Sequence, residues 1–200
     1  MLLGLTGSIA TGKSTVSAML RQKGAYVIDA DQAAREAVEP GSEGLKRIVD
    51  HFGAEMLDDE GRLDRARLGA VIFQDPWKRK KLNRLLHPLI MQTMQSQTDK
   101  IRKRVKQGLI IWDVPLLIEE NLTPLVEAVI LVYVPKEIQL ERLMKRNALS
   151  KKEALGRIEA QMDIEEKRKF ANYIIDNRGT LSDTERQVDQ LWNYLISKSG

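Results

Sequence analysis

Short apolar runs and helix-spaced apolar positions alternate from the first residues of the chain. Leu2 to Thr6 reads as a buried strand that opens into a glycine-rich loop, and Ser14 to Lys23 carries Val16, Met19 and Leu20 at helical spacing until Gly24 closes it. Ala25 to Ile28 forms a second strand ending at Asp29, followed by a helix over Gln32 to Val38 that Pro40-Gly41 breaks. From Gly41 to Gly108 the spacing turns mostly helical, with a polar turn at Asp58-Asp59-Glu60-Gly61 and a long amphipathic stretch after His87-Pro88 carrying Leu89, Ile90, Met94, Ile101 and Val105. His87 reads as the residue before a helix whose first turn accepts proline. Two strands follow, Leu109 to Trp112 and Val129 to Val134, and their unbroken apolar character suits a parallel sheet covered on both faces. Tyr173 to Ile175 is a fifth strand and Asp183 to Ile196 a closing helix. Strands separated by helices in this order predict an α/β protein with an open, parallel, five-stranded doubly wound sheet. The expected layout is a single domain over 1–200, with a core of residues 1–40, 108–135 and 171–200, a helical insertion of about 41–107 and a helical lid of about 136–170.

Composition narrows the class. The chain has 200 residues, 42% apolar and 30% charged with the signs mixed, which provides for a sizeable core and argues against disorder. The lack of cysteine excludes disulfides, thiolate metal sites and cysteine nucleophiles, and fits a reducing compartment. The N-terminus carries no basic segment ahead of its apolar residues, unlike a signal peptide, and the longest apolar runs fall far short of the ~20 residues of a membrane span. A cytoplasmic protein without a membrane partner is expected, acting as a monomer or weak homo-oligomer. Net charge is +4, and the clusters Lys78 to Lys81 and Arg102 to Arg104 raise the question of nucleic acid. Only 5% of residues are aromatic and none interleave with those clusters as a stacking platform, so both read as solvated helix faces.

The chemistry sits first in Gly7-Ser8-Ile9-Ala10-Thr11-Gly12-Lys13-Ser14, which fits G-x-x-x-x-G-K-[ST] between a predicted strand and a predicted helix. Such a loop turns backbone N–H groups, here from Gly7 through Ala10, Thr11 and Gly12, around phosphate oxygens, and the helix N-terminus adds roughly half a positive charge. Lys13 supplies a mobile charge for the β- and γ-phosphates of ATP, Ser14 a hydroxyl for Mg²⁺, and Thr15 a donor for the α-phosphate. No N-K-x-D guanine-reading motif is present, and Asp58 to Gly61 matches D-x-x-G only formally, in a turn with no strand before it. What remains is a P-loop fold of the nucleotide-kinase kind, holding ATP against a small acceptor. Asp29 with Gln32 fits a helix capping box. Spacing alone leaves Asp31 open between a catalytic base and a carboxylate that decorates the first turn. Asp113, at the end of its strand, is placed as a metal carboxylate in the crevice outside the strand termini, and Pro115 turns the chain out of the sheet. Arg142 and Arg146 lie one turn apart, which suits a lid over phosphates as well as a solvated basic face.

Taken in order, Gly4-Leu5-Thr6-Gly7 with Gly12-Lys13-Ser14-Thr15, Ile28-Asp29-Ala30-Asp31 with Ala34-Arg35, Leu82-Asn83, His87-Pro88, Asp113-Val114-Pro115-Leu116-Leu117 with Glu119, Arg142-Leu143-Met144 with Arg146, Arg157-Ile158 with Gln161, and Ile175-Asp176-Asn177 with Gly179 resemble the dephospho-coenzyme A kinase family over almost the full length. The resemblance implies transfer of the ATP γ-phosphate to the ribose 3′-hydroxyl of dephospho-coenzyme A, giving coenzyme A and ADP. It implies Asp31 as base and Arg142, with Lys13, at the transferred phosphate. The Asn177 to Gly179 loop would border the adenine, and the insertion would form the coenzyme A subdomain. Matched positions also imply acceptor contacts at Asp31, Arg35, His87, Leu116, Glu119 and Gln161. The chain departs from the family where Ser8 stands for a usual glycine, Ala10-Thr11 for a usual Gly-Ser, and Asn147-Ala148 after the arginine stripe. Two other readings stay open: another small-acceptor P-loop kinase, and a nucleic-acid-binding ATPase.

Overall fold

The structure is a computed structural model and describes every residue except Gln74, Lys106 and Gly200. In chain order its elements are β1 (Leu2–Gly7), α1 (Lys13–Gln22), β2 (Tyr26–Asp29), α2 (Ala30–Glu36), α3 (Glu43–Phe52), α4 (Arg65–Phe73), α5 (Pro76–Arg104), β3 (Ile110–Asp113), β4 (Ala128–Tyr133), α6 (Lys136–Asn147), α7 (Lys151–Glu159), α8 (Ile164–Arg168), β5 (Tyr173–Asp176) and α9 (Leu181–Ser199). The five strands form one sheet in the order β2-β3-β1-β4-β5, with parallel pairing of β1 to β3 and β4 and of β4 to β5. This is the expected doubly wound α/β architecture. Strands β2, β3 and β5 each run one residue beyond their last apolar position, onto Asp29, Asp113 and Asp176. A carboxylate ends the hydrophobic pattern, but its backbone still joins the ladder.

Residues 1–28 with 101–200 form one compact unit and residues 29–100 another. The division falls earlier than the predicted limits of 40 and 107, so α2 belongs with the helical insertion, while α6 to α8 belong to the sheet unit. In the sheet unit every residue of β1 is buried. Leu3 and Leu5 pack with Ile111, Ile130 and Val132 of the neighbouring strands, and Val16 and Leu20 of α1 and Val188, Leu191 and Leu195 of α9 cover that face. A separate cluster joins Leu143 of α6 to Ala154 and Ile158 of α7, with Ile9 and Ala10 of the glycine-rich loop packed against it.

The helical unit has its own core of Val38, Ile48, Met56, Leu68 and Leu82. Side-chain caps set its helix starts: Asp29 accepts from the N–H groups of Asp31 and Gln32, and Ser42 accepts from Leu45. Gln32 does not reach back to complete a capping box, since its amide donates to Glu36 at 3.0 Å. The segment around Asp58 is a tight polar turn, as expected. Asp58 accepts from the N–H groups of Glu60 and Arg62, and Leu57 bridges Leu63. The prediction for His87-Pro88 is overturned, because α5 begins at Pro76, where Asp75 accepts from the N–H groups of Trp77 and Lys78, and Pro88 lies inside it. One missing N–H is a local loss within a long helix of good formers, and the Asp75-Pro76 start is the stronger signal. Among the described residues no helix is long and apolar enough to cross a membrane.

Candidate active site

The glycine-rich loop leaves the C-terminal end of β1 and enters α1 through Gly12, whose φ of 87° lies in the left-handed region. A Cβ there would overlap Asn177 Nδ2. Ala10 also has positive φ, at 63°, a conformation that costs an L-residue about 1–2 kcal/mol. That position is one where the resembled family usually carries glycine. Four contacts hold the loop against this strain: Thr11 N–H and Oγ1 both donate to Ser8 O, Gln161 Oε1 accepts from Ile9 N–H at 2.8 Å, and Asn177 Nδ2 donates to Thr11 O at 2.8 Å. No side chain caps α1, whose Thr15 N–H turns back to Gly12 O at 3.0 Å, and a helix start of this kind offers its remaining first-turn N–H groups to an anion.

Lys13 forms an ion pair with Asp113 Oδ1. Register explains the meeting, for Asp113 is the partner of Leu5, two residues before the loop begins at Gly7. Asp113 is buried, Lys13 and Thr15 are half-buried, and Ser14 is exposed in the first turn of α1. Beside them Ala10, Gly12, Thr15, Arg142, Arg146 and Asn177 line a cavity of about 350 Å³ that Gly179 and Leu181 complete. Asn177 is the clamp of this cavity. Its N–H donates to Tyr133 O, its Oδ1 accepts from Thr184 Oγ1 at 2.7 Å, and its carbonyl accepts from Arg142 at 2.8 Å. Next to it the Arg178 guanidinium holds the Asp176 carboxyl below its usual range.

Thus Gly7, Ala10, Thr11, Gly12, Lys13, Ser14, Thr15, Asp113, Arg142, Asn177 and Gly179 gather round one loop in the sheet unit. Two expected acceptor residues have partners within the protein. Glu119 accepts from Lys167 Nζ at 2.8 Å and from Met162 N–H, and Gln161 supports the loop through Ile9. Their motif positions gave no hint of these partners, which lie 43 to 152 residues away in sequence. Leu116 is exposed. In the helical unit Asp31 is exposed in the first turn of α2 with its N–H on the Asp29 cap, Arg35 is exposed one turn on, and His87 is half-buried within α5. Sequence reasoning missed Lys167, Thr184 and the clamping role of Asn177, since nothing in local spacing marks them.

A phosphate loop beside a buried strand-end carboxylate, faced by an arginine of the helix α6 on a sheet of this order, defines the chain as a P-loop kinase. Residues 1–183 match the family model described as dephospho-CoA kinase. A dephospho-CoA kinase of Listeria monocytogenes is 49% identical over 186 residues, covering 93% of this chain and 92% of the relative. Among solved structures, a Thermus thermophilus protein is 36% identical with a TM-score of 0.79 over 98% of this chain and 97% of its own. A dephospho-CoA kinase from Campylobacter jejuni is 30% identical with a TM-score of 0.77 over 100% and 98%. The chain belongs to the dephospho-CoA kinase family.

Proposed function

We propose that this protein carries out its family's reaction with Asp31 as the base and the loop described above as the ATP site. The activity is that of an ATP-dependent kinase acting on dephospho-coenzyme A. In our reading the acceptor's ribose 3′-hydroxyl gives its proton to the Asp31 carboxylate as its oxygen bonds to the γ-phosphorus. The bond from that phosphorus to the β–γ bridging oxygen breaks, and ADP leaves with the electron pair. Lys13 and the α1 N-terminus hold the β- and γ-phosphates, and Arg142 presents its fork to the transferring group. The observation that supports the reading most is the Lys13–Asp113 ion pair, which brings a cationic side chain and a buried carboxylate together beside the glycine-rich loop.

The oxygen donors Ser14 and Asp113 fit Mg²⁺, which takes one or two protein ligands together with substrate phosphates. The ion would neutralise phosphate charge. We further infer acceptor contacts from Asp31, Arg35 and His87, with residues 41–107 as the coenzyme A subdomain and α6 to α8 as the lid, in a cytoplasmic monomer or weak homo-oligomer. ADP release that requires dephospho-coenzyme A, measured across a panel of acceptors, tests the reaction. Asp31→Asn tests the base: ATP and acceptor affinity stay near wild type while kcat falls about 10²-fold or more. Full turnover by that variant rejects Asp31 as base.

A further inference from the structure

Beside Asp113 the fold buries a charged group for which the reaction has no use. Lys167 of α8 is fully buried, at 0% exposure. Its Nζ pairs with Glu119 Oε1 at 2.8 Å and donates to Pro115 O at 3.3 Å. Thr6 Oγ1, one residue before the phosphate loop, donates to the same Pro115 carbonyl at 3.0 Å, and Met162 N–H donates to the same Glu119 oxygen at 3.2 Å. One ammonium therefore fastens both ends of residues 115–119, and Thr6 fastens the first of them to β1.

A buried ion pair is a poor device for stability alone, because apolar side chains of similar volume fill such a space without stripping water from two charges. What apolar side chains lack is the ability to fix a carbonyl. Pro115 follows Asp113 by two residues, its ring restricts the backbone, and the intervening Val114 N–H is held by Leu5 O at 3.0 Å. The chain leaving Asp113 is thus held first by β1 and then jointly by Thr6 and Lys167. That exit holds the backbone immediately after the residue from which the Asp113 carboxylate projects.

We propose that Lys167, acting through Glu119 and the Pro115 carbonyl, is a positioning residue for Asp113. The inference rests on our reading of Asp113 as a magnesium ligand. Its test compares the wild type with Lys167→Met, the double variant Lys167→Met/Glu119→Leu, Thr6→Val and Asp113→Asn. The readouts are melting temperature, kcat, and the calorimetric gain in ATP affinity when Mg²⁺ is added without acceptor. Lys167→Met leaves Glu119 without its buried partner and lowers Tm by roughly 10 °C. The double variant recovers most of that loss, yet its magnesium-dependent gain and its kcat stay depressed about tenfold, the usual scale for removing a support behind a metal ligand. Thr6→Val moves the same two readouts in the same direction by less. If the double variant or Thr6→Val keeps the wild-type gain and kcat, the pair is structural packing and the proposal is overturned. Should the double variant remain unstable, Thr6→Val decides alone. If Asp113→Asn leaves the magnesium gain intact, the reading of Asp113 fails and this proposal with it. If Asp113→Asn abolishes the gain while the double variant retains it, only the role of Lys167 is lost.

Discussion

Replacing Gly12 by alanine should be far more costly with Asn177 present than without it. Two separate costs meet at Gly12. Its φ of 87° charges an L-residue about 1–2 kcal/mol regardless of its neighbours. The new Cβ also takes the place of Asn177 Nδ2, which breaks the bond to Thr11 O at 2.8 Å and pulls Oδ1 from Thr184 Oγ1 at 2.7 Å. Each bond contributes about 0.5–1.5 kcal/mol, so together they are worth about 1–3 kcal/mol. Gly12→Ala should therefore cost about 2–5 kcal/mol and Asn177→Ala about 1–3 kcal/mol. In the double variant the two bonds are lost only once. It should be no less stable than Gly12→Ala alone, a favourable coupling of about 1–3 kcal/mol. Denaturant unfolding of the four proteins measures the cycle, and calorimetric titration with ATP follows the same loop from the ligand side. Additive losses, within about 0.5 kcal/mol, would falsify the claim that Asn177 is the neighbour that requires glycine at position 12.

Three further outcomes follow from contacts described above. Arg142→Lys keeps the charge but not the fork that reaches Asn177 O at 2.8 Å. Turnover should fall about tenfold or more at nearly unchanged Tm, whereas Lys103→Ala on an exposed face should do almost nothing, and equal, trivial effects would reject a role for Arg142. Asp29→Ala should cost about 1 kcal/mol of stability by uncapping α2 and Asp29→Asn only a few tenths; thermal melts separate them, and a dead but folded Asp29→Asn enzyme would mean Asp29 is more than a cap. The third outcome concerns pH. The Tyr133 hydroxyl, 2.6 Å from Glu165, holds that carboxyl below its ordinary value with help from Arg168, and the same bond raises the tyrosine. The carboxyl's stabilisation is complete above its ordinary value and disappears as pH falls through the lowered one. The tyrosine's is complete below about pH 10 and disappears as pH rises through the raised one. Tyr133→Phe should flatten the stability profile at both ends, and an unchanged acid slope in urea titrations would count against the bond.

Much of this architecture is written locally. Each strand of the sheet has an unbroken or nearly unbroken apolar run, and the loop from Gly7 to Ser14 declares itself by glycine spacing and a following helix. Asp113 was also legible, since a carboxylate that ends a buried strand has few places to go but the crevice. The illegible part is the choice of partner over long sequence distances. The resemblance marks Glu119 and Gln161 only as acceptor contacts, and nothing in their local spacing foretells that α8 brings Lys167 to Glu119 or that Ile9 N–H donates to Gln161. Pro88 misled for a different reason. Proline reads as a boundary from local rules, whereas the cap at Asp75 and the packing of Leu82 and Met94 carry α5 through it. The border between units at Ile28 and Asp29 left no composition change to read.

The central position of β1 makes synthesis of this protein a waiting problem. Its Leu3 pairs with Ile111 on one side and Ala128 on the other, 108 and 125 positions further along the chain. At about 5–20 residues per second a ribosome needs roughly 5–25 s to make those partners. The 29–100 unit, with its own core, emerges whole in the interval. During that time a strand whose six residues are all destined for burial carries two unpaired edges. In that interval β1 is an unpaired strand of the kind on which incomplete chains associate before they fold.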